Sequence, residues 1–160
     1  MLQTIFGKEK DLFFMKAALE QAKQAYAINE VPIGAVVVDT QGVIISHAYN
    51  TVERDCTQRS HAESVAIELA GKFLGDWRLN NHWLYVTLEP CSMCMNLIKL
   101  SRLEGVVYGA GSPVFGFHLD NQDDISVYKK DTFSVIEGVM VNETAELLKN
   151  FFYNKRKKSG

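Results

Sequence analysis

The strongest constraint on this chain is the run Thr87-Leu88-Glu89-Pro90-Cys91-Ser92-Met93-Cys94. Residues 83–88 are short and apolar, which reads as a buried strand. The strand stops at Pro90, and proline is tolerated at a first helical position because its missing N–H would have no intrahelical partner there. Two cysteines follow at C-x-x-C spacing. The stretch is therefore a strand-to-helix turn with two thiols at the start of the helix. The partial positive charge of a helix N-terminus favours thiolate, and thiolates bind zinc. The fold must then bring further ligands to this turn. Taken alone, C-x-x-C fits equally a redox pair or half of a structural zinc knuckle.

The remaining elements say how such a turn can be surrounded. Residues 12–29 read as an amphipathic helix, with Leu12, Met15, Leu19, Ala22 and Tyr26 at helical spacing and Lys16, Glu20 and Lys23 on other faces. Pro32 and Gly34 close it. Residues 35–38 and 43–48 flank the turn Asp39-Thr40-Gln41-Gly42 and predict an antiparallel hairpin. Residues 51–59 are polar and read as loop. A helix starts near Ser60, with Ala62, Val65, Ala66, Leu69 and Phe73 as its apolar face. After the strand at 83–88, residues 92–102 form a helix with Met93, Leu97 and Leu100 in step, and 106–108 form another strand. Residues 109–131 read as loop with one helical turn near 125–128. A last strand spans 133–140. Asn142 is the predicted N-cap of a final helix, with Glu143 in its first turn. That helix packs through Leu147, Leu148, Phe151 and Phe152 and ends in Lys155-Arg156-Lys157-Lys158.

This order predicts an α/β fold, a three-layer α/β/α sandwich around a five-stranded mixed sheet. Strands separated by helices should pair in parallel through right-handed crossovers. The turns before His61 and Cys91 then lie at the carboxyl ends of strands, where open α/β sheets place ligands. With 160 residues and no linker or repeat, the chain reads as a single domain over residues 1–160. The formal net charge of −2 provides no global attraction to nucleic acid or acidic membrane. Three cysteines cannot make a disulfide framework. No run approaches a membrane span, and the residues after Met1 do not read as a signal peptide, so the expected compartment is the cytoplasm.

Of the four histidines, His61 stands out because it begins a helix and is followed by Glu63. One imidazole and two thiolates make three ligands, and catalytic zinc sites keep a position open for water where structural sites take four protein ligands. Zinc lowers the pKa of bound water to about 7, and the reaction then needs a group to carry the proton to a leaving group. Glu63 suits that shuttle. It has a structural rival, because Ser60-x-x-Glu63 is also a capping-box pattern. Cys56 or His82 would supply a fourth ligand if the site were closed.

His61-Ala62-Glu63 and Pro90-Cys91-x-x-Cys94 resemble the H-x-E…P-C-x-x-C signature of the zinc nucleobase deaminases. Val31-Pro32-Ile33-Gly34-Ala35-Val36-Val37-Val38, Thr87-Leu88-Glu89-Pro90-Cys91, Val106-Val107-Tyr108-Gly109-Ala110 and Asn150-Phe151-Phe152 are similar to the bacterial tRNA adenosine deaminases, within a cytidine deaminase-like fold. The resemblance implies one zinc ion per subunit on His61, Cys91 and Cys94, and Glu63 as proton carrier. It implies hydrolytic conversion of adenosine to inosine at the wobble position of a tRNA anticodon stem-loop. Asn50, Ala62 and Pro90 would contact the base, and the enzyme would be a homodimer. Three stretches depart from the family pattern. Thr57-Gln58-Arg59-Ser60 stands where Asp-Pro-Thr-Ala is common, Gly111-Ser112 where Arg-Asp is common, and residues 113–131 are unlike the family.

These departures keep a second enzyme reading open, a deaminase of free guanine or cytosine. A third reading is a non-catalytic RNA-binding module stabilised by zinc. Phe115 and Phe117 are either core or base-stacking platforms. Glu89 is either a helix-dipole acid or an acceptor that shapes the turn. The basic tail is either a solvated helix end or a phosphate contact.

Overall fold

The computed structural model describes residues 3–120 and 132–160. Five strands form one sheet in the order β2-β1-β3-β4-β5: β1 Gly34–Val38, β2 Ile44–Tyr49, β3 Trp83–Leu88, β4 Gly105–Ala110 and β5 Ser134–Ile136. The hairpin β1–β2 is antiparallel, β1 is also antiparallel to β3, and β3, β4 and β5 run parallel. The predicted mixed sheet is thus present. Strands β2 and β3 run the same way but do not touch, because β1 lies between them.

The helices α1 Lys8–Ala27 and α5 Val141–Ser159 lie on one face, and α3 Ala62–Leu74 and α4 Ser92–Leu100 on the other. A single helical turn, α2 Val52–Asp55, sits in the stretch predicted as loop. The sheet is buried on both sides, so β1 is apolar without alternation: Ala35 and Val37 meet one helix layer, Val36 and Val38 the other. Close packing explains Gly34. A Cβ there would run into the Ala18 carbonyl and the Ala22 amide of α1.

Helix α1 begins four residues before the predicted start. Asp11 is buried in its first turn, where it accepts bonds from the Thr4 amide (3.1 Å), the Thr4 hydroxyl and the Tyr85 hydroxyl (2.6 Å). This network ties the N-terminal residues to the middle of the sheet.

Four sequence readings are corrected by the structure. The buried face of α3 is Ala62, Glu63, Ala66, Ile67 and Ala70, while Leu69 and Phe73 are 43% and 70% exposed. The buried face of α4 is Cys94, Met95 and Ile98, while Met93 and Leu100 are 45% and 48% exposed. In both helices the buried side combines one isoleucine with small, acidic or sulfur-bearing residues, and other large apolar residues point away. The last strand is only three residues long, because Gly138 adopts φ 82° and Met140 φ 56°, and the chain turns into α5. Met140, not Asn142, occupies the N-cap position, and no side chain caps the helix. The helical turn expected near 125–128 lies outside the described residues.

Candidate metal centre

Two helix starts meet at the carboxyl ends of β2 and β3. Glu89 extends the ladder by donating its amide N–H to the Ala110 carbonyl (2.8 Å), and Pro90 then turns the chain. Cys91 is the extended N-cap residue of α4, and Cys94 lies fully buried in the first turn. His61 is the extended N-cap residue of α3, and its carbonyl accepts the Val65 N–H (3.1 Å). Its ring Nδ1 faces both sulfurs, 3.7 Å from Cys91 Sγ and 3.4 Å from Cys94 Sγ. All three donor atoms lie within 4.8 Å of one another.

These distances fit a tetrahedral zinc ion. Metal–sulfur bonds of about 2.3 Å and metal–nitrogen bonds of about 2.0 Å hold a sulfur and a nitrogen about 3.5 Å apart. The donor set of one imidazole and two thiols is also what zinc prefers. Among the described residues no fourth His, Cys, Asp or Glu joins the group. Cys56 is exposed and donates to the Glu53 carbonyl, and the His82 ring lies against the Asn80 carbonyl. Among the described residues the group therefore consists of three donors, one imidazole and two thiols.

The electrostatics suit a cation between the sulfurs. A hydrogen bond from the Cys94 thiol, helped by the nearby His61 ring, holds the Cys91 thiol down at about 4. The Cys91 sulfur and burial push Cys94 in the opposite direction. Two adjacent sulfurs cannot both ionise without a counter-charge, and a divalent metal supplies it. His61 is raised, chiefly by its contact with Cys91.

Glu63 is buried beside these ligands, and loss of water pushes its carboxyl up to about 7. A carboxyl that gains and loses a proton near neutrality is matched to proton transfer. The capping-box alternative fails on geometry. Ser60 is not the N-cap: its amide donates to the Thr57 carbonyl (3.2 Å) and its hydroxyl to Asp55 (2.8 Å).

The loop between β2 and His61 is tightly built. Thr51 donates its N–H to the Ser60 carbonyl (3.0 Å), closing the loop. Asp55 collects the Thr51 and Ser60 hydroxyls (2.7 and 2.8 Å). Its carboxyl is held well below the usual carboxylate range, first by Arg54 and then by those hydroxyls. Glu30, buried just beyond the end of α1, accepts the amides of Glu53 (3.2 Å) and Arg54 (2.6 Å). Residues 58–60 form a 3₁₀ turn that delivers His61, and Gln58 Oε1 lies 3.0 Å from His61 Nε2. The stretch that departs from the family pattern therefore backs the His61 ring. Sequence reading missed Glu30, Asp55 and Gln58. Only the density of hydrogen-bonding residues between Asn50 and Ser60 signalled a structured loop.

The predicted base contacts line up as follows. Asn50 is buried, donates to the Val31 carbonyl (3.2 Å) and accepts the Val52 amide (3.3 Å), which uses two of the four bonds an amide can make. Ala62 opens α3, where a backbone N–H has no intrahelical acceptor. Pro90 is buried, and its carbonyl accepts the Phe117 amide (3.0 Å). Glu89 shapes the wall beyond it, accepting the amides of Ser112 (2.8 Å) and His118 (3.2 Å) and lying 2.5 Å from the His118 ring. A Cβ at Gly116 would strike that carboxylate. The two aromatics divide: Phe117 packs edge-on against Tyr108 at 6.4 Å, and Phe115 is 76% exposed.

Comparison with known proteins agrees with this geometry. Residues 8–110 match the cytidine and deoxycytidylate deaminase zinc-binding region. The chain is 41% identical over 153 residues to the tRNA-specific adenosine deaminase of Bacillus subtilis (strain 168), covering 93% of this chain and 92% of that protein. A solved structure from work on A-to-I editing by tRNA:A34 deaminases at the wobble position superposes with TM-score 0.78 and 35% identity, over 84% of this chain and 98% of that one. Guanine deaminase from Nitrosomonas europaea superposes with TM-score 0.78 at 22% identity, over 88% and 83% of the chains, a likeness of fold alone.

Proposed function

The chain belongs to the zinc-dependent cytidine and deoxycytidylate deaminase family, and on that premise we propose that it converts adenosine to inosine at the wobble position of a tRNA anticodon. The observation that carries this reading is 41% identity to a tRNA-specific adenosine deaminase across nearly the whole of both chains. One deaminase domain spans residues 1–160 in this reading.

His61, Cys91 and Cys94 would hold one zinc ion per subunit, and it is the Nδ1 side of the imidazole that faces the two sulfurs. Zinc supplies a Lewis acid that makes water nucleophilic near neutral pH. Glu63 takes the proton that water loses and returns it to the departing amino group. Water adds at C6 of adenine, the C6–N bond breaks, and ammonia leaves. The buried, near-neutral carboxyl supports this role, because it both accepts and donates at physiological pH. Asn50, Ala62 and Pro90 orient the base. The target nucleotide is unstacked from the anticodon loop to reach them.

The partners follow from the same reading. The chain acts as a homodimer, which the outward-facing Leu69 and Phe73 of α3 and Met93 and Leu100 of α4 support. Exposed Lys155, Arg156, Lys157 and Lys158 at the end of α5 offer phosphate contacts to a protein with no net positive charge. The compartment is the cytoplasm, and no helix of the described residues is long and apolar enough to cross a membrane.

The test is a deamination assay on an anticodon stem-loop with adenosine at the wobble position, run beside free adenosine, guanine and cytosine. Inosine formed in the stem-loop alone is the expected result. Turnover of a free base with none in the RNA would overturn the proposal, and no turnover with zinc bound would favour a non-catalytic module.

A further inference from the structure

We infer that Gln58 is a positioning residue for the metal centre: its side-chain carbonyl fixes the tautomer and angle of the His61 ring and so sets how tightly the centre holds zinc. This rests on the reading of His61, Cys91 and Cys94 as the ligands. The two ring nitrogens face different partners. Nε2 lies 3.0 Å from Gln58 Oε1, while Nδ1 lies 3.4 and 3.7 Å from the two sulfurs. A carbonyl oxygen can only accept, so Nε2 carries the hydrogen. A metal-bound imidazole is neutral and has one N–H; with that hydrogen on Nε2, the Nδ1 lone pair lies on the side of the sulfurs, as a metal ligand requires.

The contact is built into the backbone. Gln58 begins the 3₁₀ turn Gln58–Ser60, and its own carbonyl accepts the His61 amide (3.4 Å). Residues three apart in a 3₁₀ turn eclipse one another, which stacks the Gln58 side chain beside the ring. The Thr57 hydroxyl accepts the Arg59 amide (3.2 Å), and Asp55 anchors Ser60 (2.8 Å), so the turn is pinned on both sides of Gln58. The partner is also neutral. Two thiolates already balance a divalent cation, and a carboxylate behind the imidazole would add net negative charge. An amide orients the ring without that addition.

The experiment compares Gln58→Leu, Gln58→Glu and His61→Ala with the unmodified full chain. Each protein is stripped of metal and titrated with zinc against a fluorescent chelator. Ring nitrogen resonances of the zinc-loaded, histidine-labelled proteins report the His61 tautomer. Gln58→Leu should weaken zinc binding about tenfold, water being a poorer fixed acceptor, and should lose the protected Nε2–H signal. Gln58→Glu keeps an acceptor and should retain both. Zinc affinity of Gln58→Leu within about twofold of the unmodified chain, or equal weakening in both variants, overturns the inference. If Gln58→Leu does not fold, Gln58→Asn replaces it, since the shorter side chain withdraws the acceptor; affinity unchanged there is likewise a refutation. The His61→Ala control separates the two levels. Retention of zinc in that protein refutes the ligand assignment itself, whereas loss there with no effect at Gln58 refutes only the positioning role.

Discussion

Replacing Glu63 by glutamine keeps the shape of the side chain and removes its titration. In the metal-free protein the Glu63 carboxyl sits at about 7, against an ordinary 4.5, because burial strips water from the ionised form. The folded state therefore binds this proton more tightly than the unfolded chain. The stabilisation is fully present below about pH 4.5 and is lost as pH rises through about 7. At about 1.4 kcal/mol per pH unit, the loss is on the order of 3 kcal/mol. Urea unfolding of metal-stripped protein at several pH values between these limits measures it. Taking the difference between Glu63→Gln and the unmodified chain cancels the groups remote from Glu63 and leaves its own titration together with its influence on His61 and Cys94. That difference should move by about 3 kcal/mol in favour of the variant as pH rises. A difference that stays flat would refute the claim that the buried carboxyl is neutral in the metal-free fold. In the zinc-loaded protein the same variant should keep its metal while kcat falls by roughly 10²–10⁴. Turnover near that of the unmodified chain would remove Glu63 from the proton path.

Three further outcomes follow from named contacts. Cys91→Ala removes a thiol that is already thiolate-prone, and elemental analysis should find the purified variant without zinc and without activity. Glu30→Ala strands the amides of Glu53 and Arg54, which should cost about 1–3 kcal/mol in urea unfolding and lower turnover as the loop leading to His61 loosens. Leu69→Asp combined with Phe73→Asp places charge on the outward face of α3, and light scattering should show a monomer that remains folded by circular dichroism.

The metal centre was more legible than the walls around it. C-x-x-C behind a proline, and histidine two residues before a glutamate, are local patterns whose chemistry is carried by residue type. Strand β3 was readable residue for residue because a strand covered on both faces shows as a plain apolar run. The faces of α3 and α4 were misread for the opposite reason. Their outward sides carry large apolar residues as well, while Ile67, Met95, Ile98 and alanines face the core, so hydropathy does not separate the two sides.

The sequence alone determined the cluster of one imidazole and two thiols, the acid beside it, the α/β order and the two turns that carry these residues, since each rests on residue types in short local patterns. Tertiary structure decided which nitrogen of His61 faces the sulfurs, that Glu63 is not a cap, and that Glu30, Gln58 and Glu89 hold the loops on either side. Those contacts depend on where backbone amides and carbonyls from distant segments end up. Every residue type has those groups, so residue identity does not reveal the contacts until the sheet and its helices have closed around the turn.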